Sequence, residues 1–190
     1  MTMTNPLPIQ RLNWGCGHRG EPGWINSDLK SGRGIDFSCD IREGLPLADG
    51  SMDYVVSIHA LPEISYGELL PALCELRRVI RPGGVLRLGL PDLLKGIEAY
   101  RRGDRDYFLI PDEDAQSLGA KLVTQLIWYG YSKTVFTPDF IAELLVKAGF
   151  VSIQICEYQQ TYSRFSGITE LDDRPAESFF VEATQPEQAK

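Results

Sequence analysis

A glycine-rich stretch near the start of the chain, LNWGCGHRGEPGWINSDL at residues 12–29, limits the folds that this sequence can adopt. Its glycines Gly15, Gly17 and Gly20 have the G-x-G-x-x-G spacing of turns that follow a strand and hold nucleotide-like ligands. Glycine suits such a turn because it accepts a positive φ and lets backbone N–H groups approach a ligand. The sequence therefore predicts an α/β sheet whose first strand ends in a ligand-binding turn.

The acid that follows this turn comes too early for a dinucleotide-binding unit. Asp28 lies 11 positions after Gly17, whereas that unit has a full helix and an acid about 20 residues on. A crossover between parallel strands normally needs a dozen or more residues. We therefore expect an abbreviated crossover, with a single turn near residues 18–21. Such a turn suits a ligand that does not need a helix N-terminus to support a pyrophosphate.

Strand-like and helix-like segments alternate along the rest of the chain. Strands are predicted at IQRLNW, WINSDL, GIDFSCD, MDYVVSIHA, VLRLGLP, VSIQICEY and SFFVEAT. Helices are predicted after SYGE, ending at Pro82 of RPGG, and at LLKGIEAYRR, DAQSLGAKLVTQLIWYG and TPDFIAELLVKAGF. The fold class predicted is α/β, a doubly wound and mostly parallel sheet with an antiparallel strand near the C-terminus, in one domain over residues 1–190. The long stretch 159–177 is expected to be a functional loop.

Composition narrows the classes of partner. The formal net charge of −7 argues against a nucleic-acid binder, which needs clustered Lys and Arg. The four cysteines form no C-x-x-C pair and only His18 and His59 could join them, so we expect no metal site, and we expect the cysteines to be reduced and mostly buried. The N-terminus lacks the blocks of a signal peptide and no apolar run is long enough for a membrane span, so we expect a cytoplasmic protein without a membrane partner.

Several motifs in the first half occur in a familiar order. NWGCGHRG, GWINSDL, DFSCDI, LPLADGSMDYVVSIHAL and LCELRRVIRPGGVLRLGLPDL follow one another between residues 9 and 95. In this order they resemble the class I S-adenosylmethionine-dependent methyltransferases, and are most similar to small bacterial members with a shortened first helix. The resemblance returns weakly at AGF and LDDRPAESFFVEA. It implies a Rossmann-like fold, S-adenosylmethionine as the cofactor and methyl transfer as the activity.

The resemblance also implies which residues bind the cofactor. These are Trp14, Gly15, Cys16, Gly17, Asp28, Leu29, Asp40, Ile41, Ser57 and His59. Asp28 would accept hydrogen bonds from the two ribose hydroxyls, and Asp40 would accept one from the adenine amine. The residues alone leave other readings open, since Asp28 could be a solvated strand end and Asp40 could cap the turn DIREG.

One segment departs from the family pattern. Relatives commonly have H-V-L-E-H after the fourth strand, whereas this chain has HALPE at residues 59–63. Pro62 removes a backbone donor and is expected to make Leu61 extended. The candidate catalytic residues are His59, whose ordinary pKa near 6.5 suits a general base, and Glu63.

Three hypotheses follow for the function. The first is a methyltransferase acting on a small molecule or saccharide. We expect Trp128, Tyr129, Tyr131 and residues 162–164 to form the walls of its acceptor pocket. A homodimer is compatible with this hypothesis. The second is a nicotinamide-dependent reductase, disfavoured by the short crossover. The third is a binding module that has lost catalysis, which the HALPE departure keeps open.

Overall fold

The computed structural model describes residues 9–18 and 20–187. Residues 1–8, on which part of the localisation expectation rests, lie outside this range. The strands are β1 (Arg11–Trp14), β2 (Ile25–Asp28), β3 (Phe37–Ser38), β4 (Met52–Ile58), β5 (Ile80–Pro91), β6 (Val151–Cys156) and β7 (Ser178–Thr184). The α-helices are α1 (Tyr66–Val79), α2 (Leu93–Arg102), α3 (Leu118–Ile127) and α4 (Pro138–Lys147). Short 3₁₀ helices occupy Ile41–Glu43, Leu61–Glu63, Trp128–Gly130 and Ser166–Thr169.

All seven strands join one sheet in the order β3-β2-β1-β4-β5-β7-β6. The pairs among β1 to β5 are parallel, while β7 runs antiparallel to both β5 and β6. The predicted mostly parallel sheet with an antiparallel C-terminal strand is confirmed. Because the parallel strands point the same way, the segments after β1, β2, β3 and β4 meet at one edge, where open α/β sheets bind ligands.

Helices α1 and α4 cover one face of the sheet. Leu69, Leu73 and Leu76 form the apolar stripe of α1, and they share a buried core with Val55 of β4 and Leu88 of β5. Strand residues alternate between faces, so Val55 points to this core while its neighbours point away. This core fixes the position of β4 and therefore of the site residues that follow it.

A segment without an α-helix covers the opposite face. Tyr54 and Val56 of β4 pack there with Trp24 and with Phe165 and Ile168 of the loop between β6 and β7. Tyr54 contacts both aromatic neighbours, with ring centroids 5.4 Å from Trp24 and 5.1 Å from Phe165. Residues 157–177, called here the covering segment, thus supply apolar surface that helices supply elsewhere in the sheet. The predicted functional loop therefore has a structural role as well.

A buried arginine holds the covering segment to the sheet. Arg87 of β5 is fully buried and donates from Nε and Nη2 to the carboxylate of Asp172, at 2.7 and 2.6 Å. Its Nη1 donates to Glu182 of β7 at 2.7 Å and to the carbonyl of Gln160 at 3.1 Å. The bidentate pairing matches the planar geometry of the guanidinium. Burying this charge without such partners would be strongly destabilising.

Two expectations about α1 and β5 are wrong. Helix α1 ends at Val79, and Ile80 already begins β5, so RPGG lies inside the strand and does not end the helix at Pro82. The register of β5 against β4 shifts between the pairs Met52↔Ile80 and Tyr54↔Val85, and Gly83 in this bulge has a φ of +73°. Glycine is tolerated there because it has no Cβ penalty at positive φ.

The cysteines are all free, but the expectation that most are buried is wrong. Cys156 is buried, Cys16 and Cys39 are half-buried, and Cys74 is exposed. Cys74 follows Leu73 directly on α1, so it is rotated by one helical position away from the apolar stripe and toward solvent.

No helix in the described part of the chain is long and apolar enough to cross a membrane. Among residues 9–18 and 20–187, no three His, Cys, Asp or Glu side chains are grouped so that they could hold a metal ion.

Candidate active site

A pocket of about 610 Å³ opens at the sheet edge where β1 to β4 end. It extends from the glycine turn to a wall built by α3, the 3₁₀ helix Trp128–Gly130 and the covering segment. The predicted site residues that line it are Trp14, Gly15, Cys16, Gly17, Asp28, Leu29, Asp40, Ile41, His59 and Glu63. Ser57 does not line it. Ser57 has the same parity in β4 as Val55, which places its side chain on the α1 face, and it is 1% exposed.

The first glycine is fixed by both conformation and space. Gly15 has a φ of +71°, and a Cβ built there would lie 2.2 Å from the Cβ of Ala60. The N–H groups of Gly15 and Cys16 both donate to the carbonyl of Ser27, at 2.8 and 3.0 Å. The turn is therefore tied to the end of β2 and packed against the segment after β4.

The other two glycines have different roles. Gly17 has a φ of +67° and no atom within 4 Å of a built Cβ, so it leaves open space at the pocket. A Cβ on Gly20 would lie 1.7 Å from the carbonyl oxygen of Gly34, so Gly20 serves backbone packing. Residues 15–18 and 20–24, between β1 and β2, contain turns and a bend without a helix, which confirms the abbreviated crossover.

Asp28 joins the glycine turn to the pocket. Its Oδ2 accepts from the N–H of Gly17 at 2.8 Å and its Oδ1 accepts from the N–H of Lys30 at 3.1 Å. An ionised carboxylate has about four acceptor sites. Each oxygen of Asp28 therefore keeps acceptor capacity for a ligand hydroxyl, beyond the hydrogen bonds that hold the loop.

Asp40 has the capping role that the sequence left open. Its side chain accepts from the N–H of Arg42, the second residue of the 3₁₀ helix Ile41–Glu43, and both oxygens also accept from the Arg42 guanidinium. The hydrogen bonds from Arg42 lower the pKa of Asp40 and keep it ionised. Asp40 lines the pocket at the same time, so capping does not remove it from contact with a ligand.

His59 is held on both ring nitrogens. Its Nε2 lies 2.7 Å from Oγ of Ser178, and its Nδ1 lies 3.3 Å from Nη1 of Arg174. Arginine can only donate, so Nδ1 accepts and the proton sits on Nε2. Burial, with the charge of Arg174, lowers the pKa of His59 to about 3, so the ring is neutral at physiological pH. Its φ of +59° is uncommon outside glycine and marks a locally strained position.

The HALPE segment forms a compact turn. Leu61–Glu63 is a 3₁₀ helix with proline among its first residues, so the expectation of an extended Leu61 is wrong. Proline is tolerated at the start of a helix because the N–H there has no intrahelical partner. The carbonyl of Pro62 accepts from the N–H groups of Lys133 and Thr134, at 2.8 and 3.1 Å. Through Pro62, the HALPE segment thus connects the end of β4 to the far wall of the pocket.

The turn places Glu63 at the pocket. Its side chain lines the same cavity as Asp28. Partial burial and the charge of Asp28 raise the pKa of Glu63, against the smaller opposing effects of Lys133 and Lys30. A carboxylate with a raised pKa is a stronger proton acceptor than an ordinary glutamate, which suits a general base.

The far wall differs in part from the predicted one. Trp128 and Tyr131 line the pocket, whereas Tyr129 points away and donates to Asp114 at 2.5 Å. Residues 162–164 lie outside the pocket lining, in the covering segment, and Tyr162 is 72% exposed. The pocket also contains residues that the sequence analysis missed: Tyr107, Phe108, Leu122, Leu126, Leu171, Asp173, Arg174 and Glu177. They come from irregular segments and one helix face, with no motif to indicate a shared site.

Comparisons with known proteins agree with this geometry. A protein-family model described as a methyltransferase domain matches residues 21–88. No curated protein matches the chain.

Similar solved structures include a methyltransferase from Thermotoga maritima, described as a possible histamine N-methyltransferase. It is 17% identical, with a TM-score of 0.54 over 93% of this chain and 82% of that one. Another is a methyltransferase from Archaeoglobus fulgidus, 13% identical, with a TM-score of 0.58 over 93% of this chain and 86% of that one. A third is phosphoethanolamine N-methyltransferase 2 from Haemonchus contortus in complex with S-adenosyl-L-methionine. It is 15% identical, with a TM-score of 0.53 over 94% of this chain and 49% of that one, so this chain spans about half its length.

The fold is therefore that of the class I methyltransferases, and the family match covers β2, β3, β4 and most of β5 but not β1 or the glycine turn. The methyltransferase-domain match over residues 21–88 and these similar structures support an S-adenosylmethionine-dependent methyltransferase, with S-adenosylmethionine as the cofactor.

Proposed function

We propose that the protein transfers a methyl group to a small-molecule acceptor that binds in the far half of the pocket. The observation that carries this proposal is one continuous cavity that contains both the glycine turn and the wall of Trp128 and Tyr131. Its volume of about 610 Å³ lies within the range of small-molecule sites, roughly 300 to 1,000 Å³. The descriptions of two similar structures name a possible histamine N-methyltransferase and a phosphoethanolamine N-methyltransferase, and both names refer to small amines. This supports an acceptor of similar size.

The cofactor half of the pocket suits S-adenosylmethionine on three observations. Gly17 leaves open space where a side chain would stand, Asp28 has spare acceptor capacity, and Asp40 is kept ionised at the pocket edge. We assign Asp28 to the ribose hydroxyls and Asp40 to the adenine amine. The backbone and side chains assigned to the rest of the cofactor are Trp14, Gly15, Cys16, Gly17, Leu29 and Ile41. Burial and the charge of Asp28 raise the pKa of Cys16 to about 11, so its thiol is a neutral contact rather than a nucleophile.

The bound cofactor supplies a methyl group on a sulfonium, a good leaving group that needs no further activation by the protein. The residues of this chain must then hold the acceptor in line and remove its proton. We assign proton removal to Glu63, because its pKa is raised and its side chain lines the pocket. The Glu63 carboxylate would take the proton that the acceptor loses on methylation. The bond between sulfur and the methyl carbon would break in the same transfer, and its electrons would leave with S-adenosylhomocysteine.

We assign His59 a positioning role. A ring that accepts from Arg174 and donates to Ser178 has no free nitrogen for an acceptor proton. It joins the segment after β4 to the start of β7, which keeps the glycine turn and the covering segment at fixed positions.

The proposal is tested by following a labelled methyl group. The protein is incubated with S-adenosylmethionine carrying a deuterated methyl group and a pool of small metabolites, and products are read by mass spectrometry. Parallel incubations contain protein or nucleic acid in place of the metabolites. A labelled small-molecule product supports the proposal, and label found only on protein or nucleic acid contradicts it.

Glu63→Gln tests the assigned base on the acceptor found in that pool. We expect turnover to fall by about 10²- to 10⁴-fold, the range for loss of a general base, with unchanged affinity for S-adenosylhomocysteine. Glu98→Gln is the matched control, because Glu98 is an exposed glutamate that pairs with Arg102 outside the pocket. A wild-type rate in Glu63→Gln would remove Glu63 from the mechanism.

A further inference from the structure

The far wall of the pocket contains a buried carboxylate, one oxygen of which has no hydrogen-bond donor among the described residues. Glu177 is 8% exposed and lines the cavity. Its Oε1 is buried and has no hydrogen-bond partner among the described residues. The nearest cation, Nη1 of Arg174, lies 3.7 Å away, beyond hydrogen-bond distance. An ionised oxygen in this position is costly unless a donor reaches it.

The neighbouring cations are engaged elsewhere. Nη1 of Arg174 donates to His59, and the ammonium of Lys95 donates to the backbone carbonyls of Pro175 and Ser178, on either side of Glu177. These contacts hold the backbone of Glu177 in place and leave Arg174 at ion-pair distance from its side chain, without a hydrogen bond. Oε1 of Glu177 is therefore positioned by its surroundings and left without a hydrogen-bond donor among the described residues.

The rest of this wall adds negative charge. Asp173 and Asp92 also line the pocket. Burial raises the pKa of Glu177, and the charge of Asp173 adds to this effect while the charge of Arg174 opposes it. Burial and the charges of Glu177 and Asp92 raise the pKa of Tyr107 to about 12, so the phenol stays neutral. Of the described residues, eight carboxylates and three Lys or Arg line the whole pocket. This balance favours a cation and disfavours an anion.

Apolar side chains stand beside this charge. Phe108, Leu126 and Leu171 line the same pocket. A ligand for this surface needs a donor-rich positive group for Glu177 and an apolar body for these side chains. A protonated amine on a hydrocarbon or aromatic body has both features, and its ammonium can offer three donors.

We propose that Glu177 binds a protonated amine of the methyl acceptor, so that the acceptor class is amines with an apolar body. The proposal rests on the function proposed above and narrows its acceptor. Neutral saccharides and carboxylic acids lie outside the class, whereas an amine that carries other polar groups lies within it.

The test compares three probes of nearly equal size and shape. These are 2-phenylethylamine, 2-phenylethanol and phenylacetate, which carry a positive, a neutral and a negative group. Binding to the wild-type protein is measured by calorimetry with S-adenosylhomocysteine present at saturation. We expect the amine to bind at least about tenfold more tightly than the alcohol, the lower limit for a hydrogen bond to a charged group, and phenylacetate to bind most weakly.

Glu177→Gln tests the residue itself. The amide keeps the shape of the side chain but removes its charge, so amine affinity should fall by about 10- to 100-fold while binding of the alcohol changes little. Glu170→Gln is the matched control, because Glu170 lies in the same covering segment but pairs with Arg11 outside the pocket. Amine affinity in Glu170→Gln should equal that of the wild type.

The outcomes separate this proposal from the function on which it rests. If S-adenosylhomocysteine binds but the amine binds no better than the alcohol, or does not bind at millimolar concentration, the amine proposal is overturned and methyl transfer stands. If the amine binds and Glu177→Gln weakens it while S-adenosylhomocysteine does not bind, the amine site stands and the proposed function fails.

Discussion

His59, which is half-buried, and Glu177, which is buried, show at the scale of single residues how the surroundings set the ionisation of a side chain. His59 was the residue type best suited to a base from the sequence, yet its surroundings remove that ability. Arg174 donates to one ring nitrogen and Ser178 contacts the other, and burial makes a charged ring costly. Residue type alone could not reveal this, because both partners are more than 100 positions away in the chain.

We predict that His59 stays neutral far below the pH at which histidine normally titrates. Its pKa of about 3, against an ordinary 6.5, means that its NMR resonances should not shift as the pH falls from 8 to about 4. The resonance is assigned with a His59→Gln variant. Turnover should then show no inflection from His59 near pH 6.5.

The lowered pKa of His59 also makes the folded protein less stable as the pH falls. The unfolded chain takes up a proton at His59 below pH 6.5 and the folded protein resists it until about pH 3. The contribution of His59 to the free energy of unfolding is therefore present above pH 6.5 and is lost as the pH falls through this window. The wild type should lose more stability than His59→Gln between pH 6.5 and 4. A His59 resonance that titrates near pH 6.5 would contradict the assigned tautomer and restore the base role.

The glycine turn is the element on which the site depends most. Gly15 and Gly17 have nearly the same positive φ, but only Gly15 meets a side chain, that of Ala60. The first position is thus constrained by a protein contact and the second by conformation and ligand space. This difference gives a matched pair of variants within one turn.

We predict that Gly15→Ala lowers the free energy of unfolding more than Gly17→Ala does. In both variants the left-handed conformation of alanine lowers the free energy of unfolding by about 1 to 2 kcal/mol. In Gly15→Ala the overlap with Ala60 lowers it by a further amount of about 1 to 3 kcal/mol. Urea denaturation measures both. The second substitution Ala60→Gly should recover most of the added loss in Gly15→Ala, and equal losses in both variants, without recovery, would show that the Ala60 contact does not constrain the turn.

At the scale of the whole molecule, hydrophobic periodicity and the residues that cap helices and form turns predicted the order of strands and helices well. Helix α2 begins after Asp92, which accepts from the N–H groups of Leu94 and Lys95, and α4 begins with Pro138 after Thr137. Such caps act within a few residues, so the chain shows them directly. The glycine turn and Asp28 were found for the same reason, because they are adjacent along β1 and β2.

The rest of the site depends on contacts that no local pattern encodes. The covering segment is placed by Arg87, which reaches Asp172 85 positions away. Once it is placed, it brings Arg174 and Glu177 beside His59. The sequence marked this segment by its length and by the weak resemblance at LDDRPAESFFVEA, and neither placed Arg174 or Glu177 in a site. It expected part of the pocket wall from residues 162–164, which instead lie outside the pocket lining.

The central claim is that the pocket at the glycine turn binds S-adenosylmethionine through Asp28, and calorimetry with S-adenosylhomocysteine tests it most directly. We predict binding to the wild type, no binding of NAD, and a loss of about 1.5 to 3 kcal/mol in Asp28→Ala, the scale of a hydrogen bond to a charged group. Asp49→Ala, which removes an exposed carboxylate paired with Arg78, should bind like the wild type. Binding of NAD without S-adenosylhomocysteine, or unchanged affinity in a folded Asp28→Ala, would contradict the account.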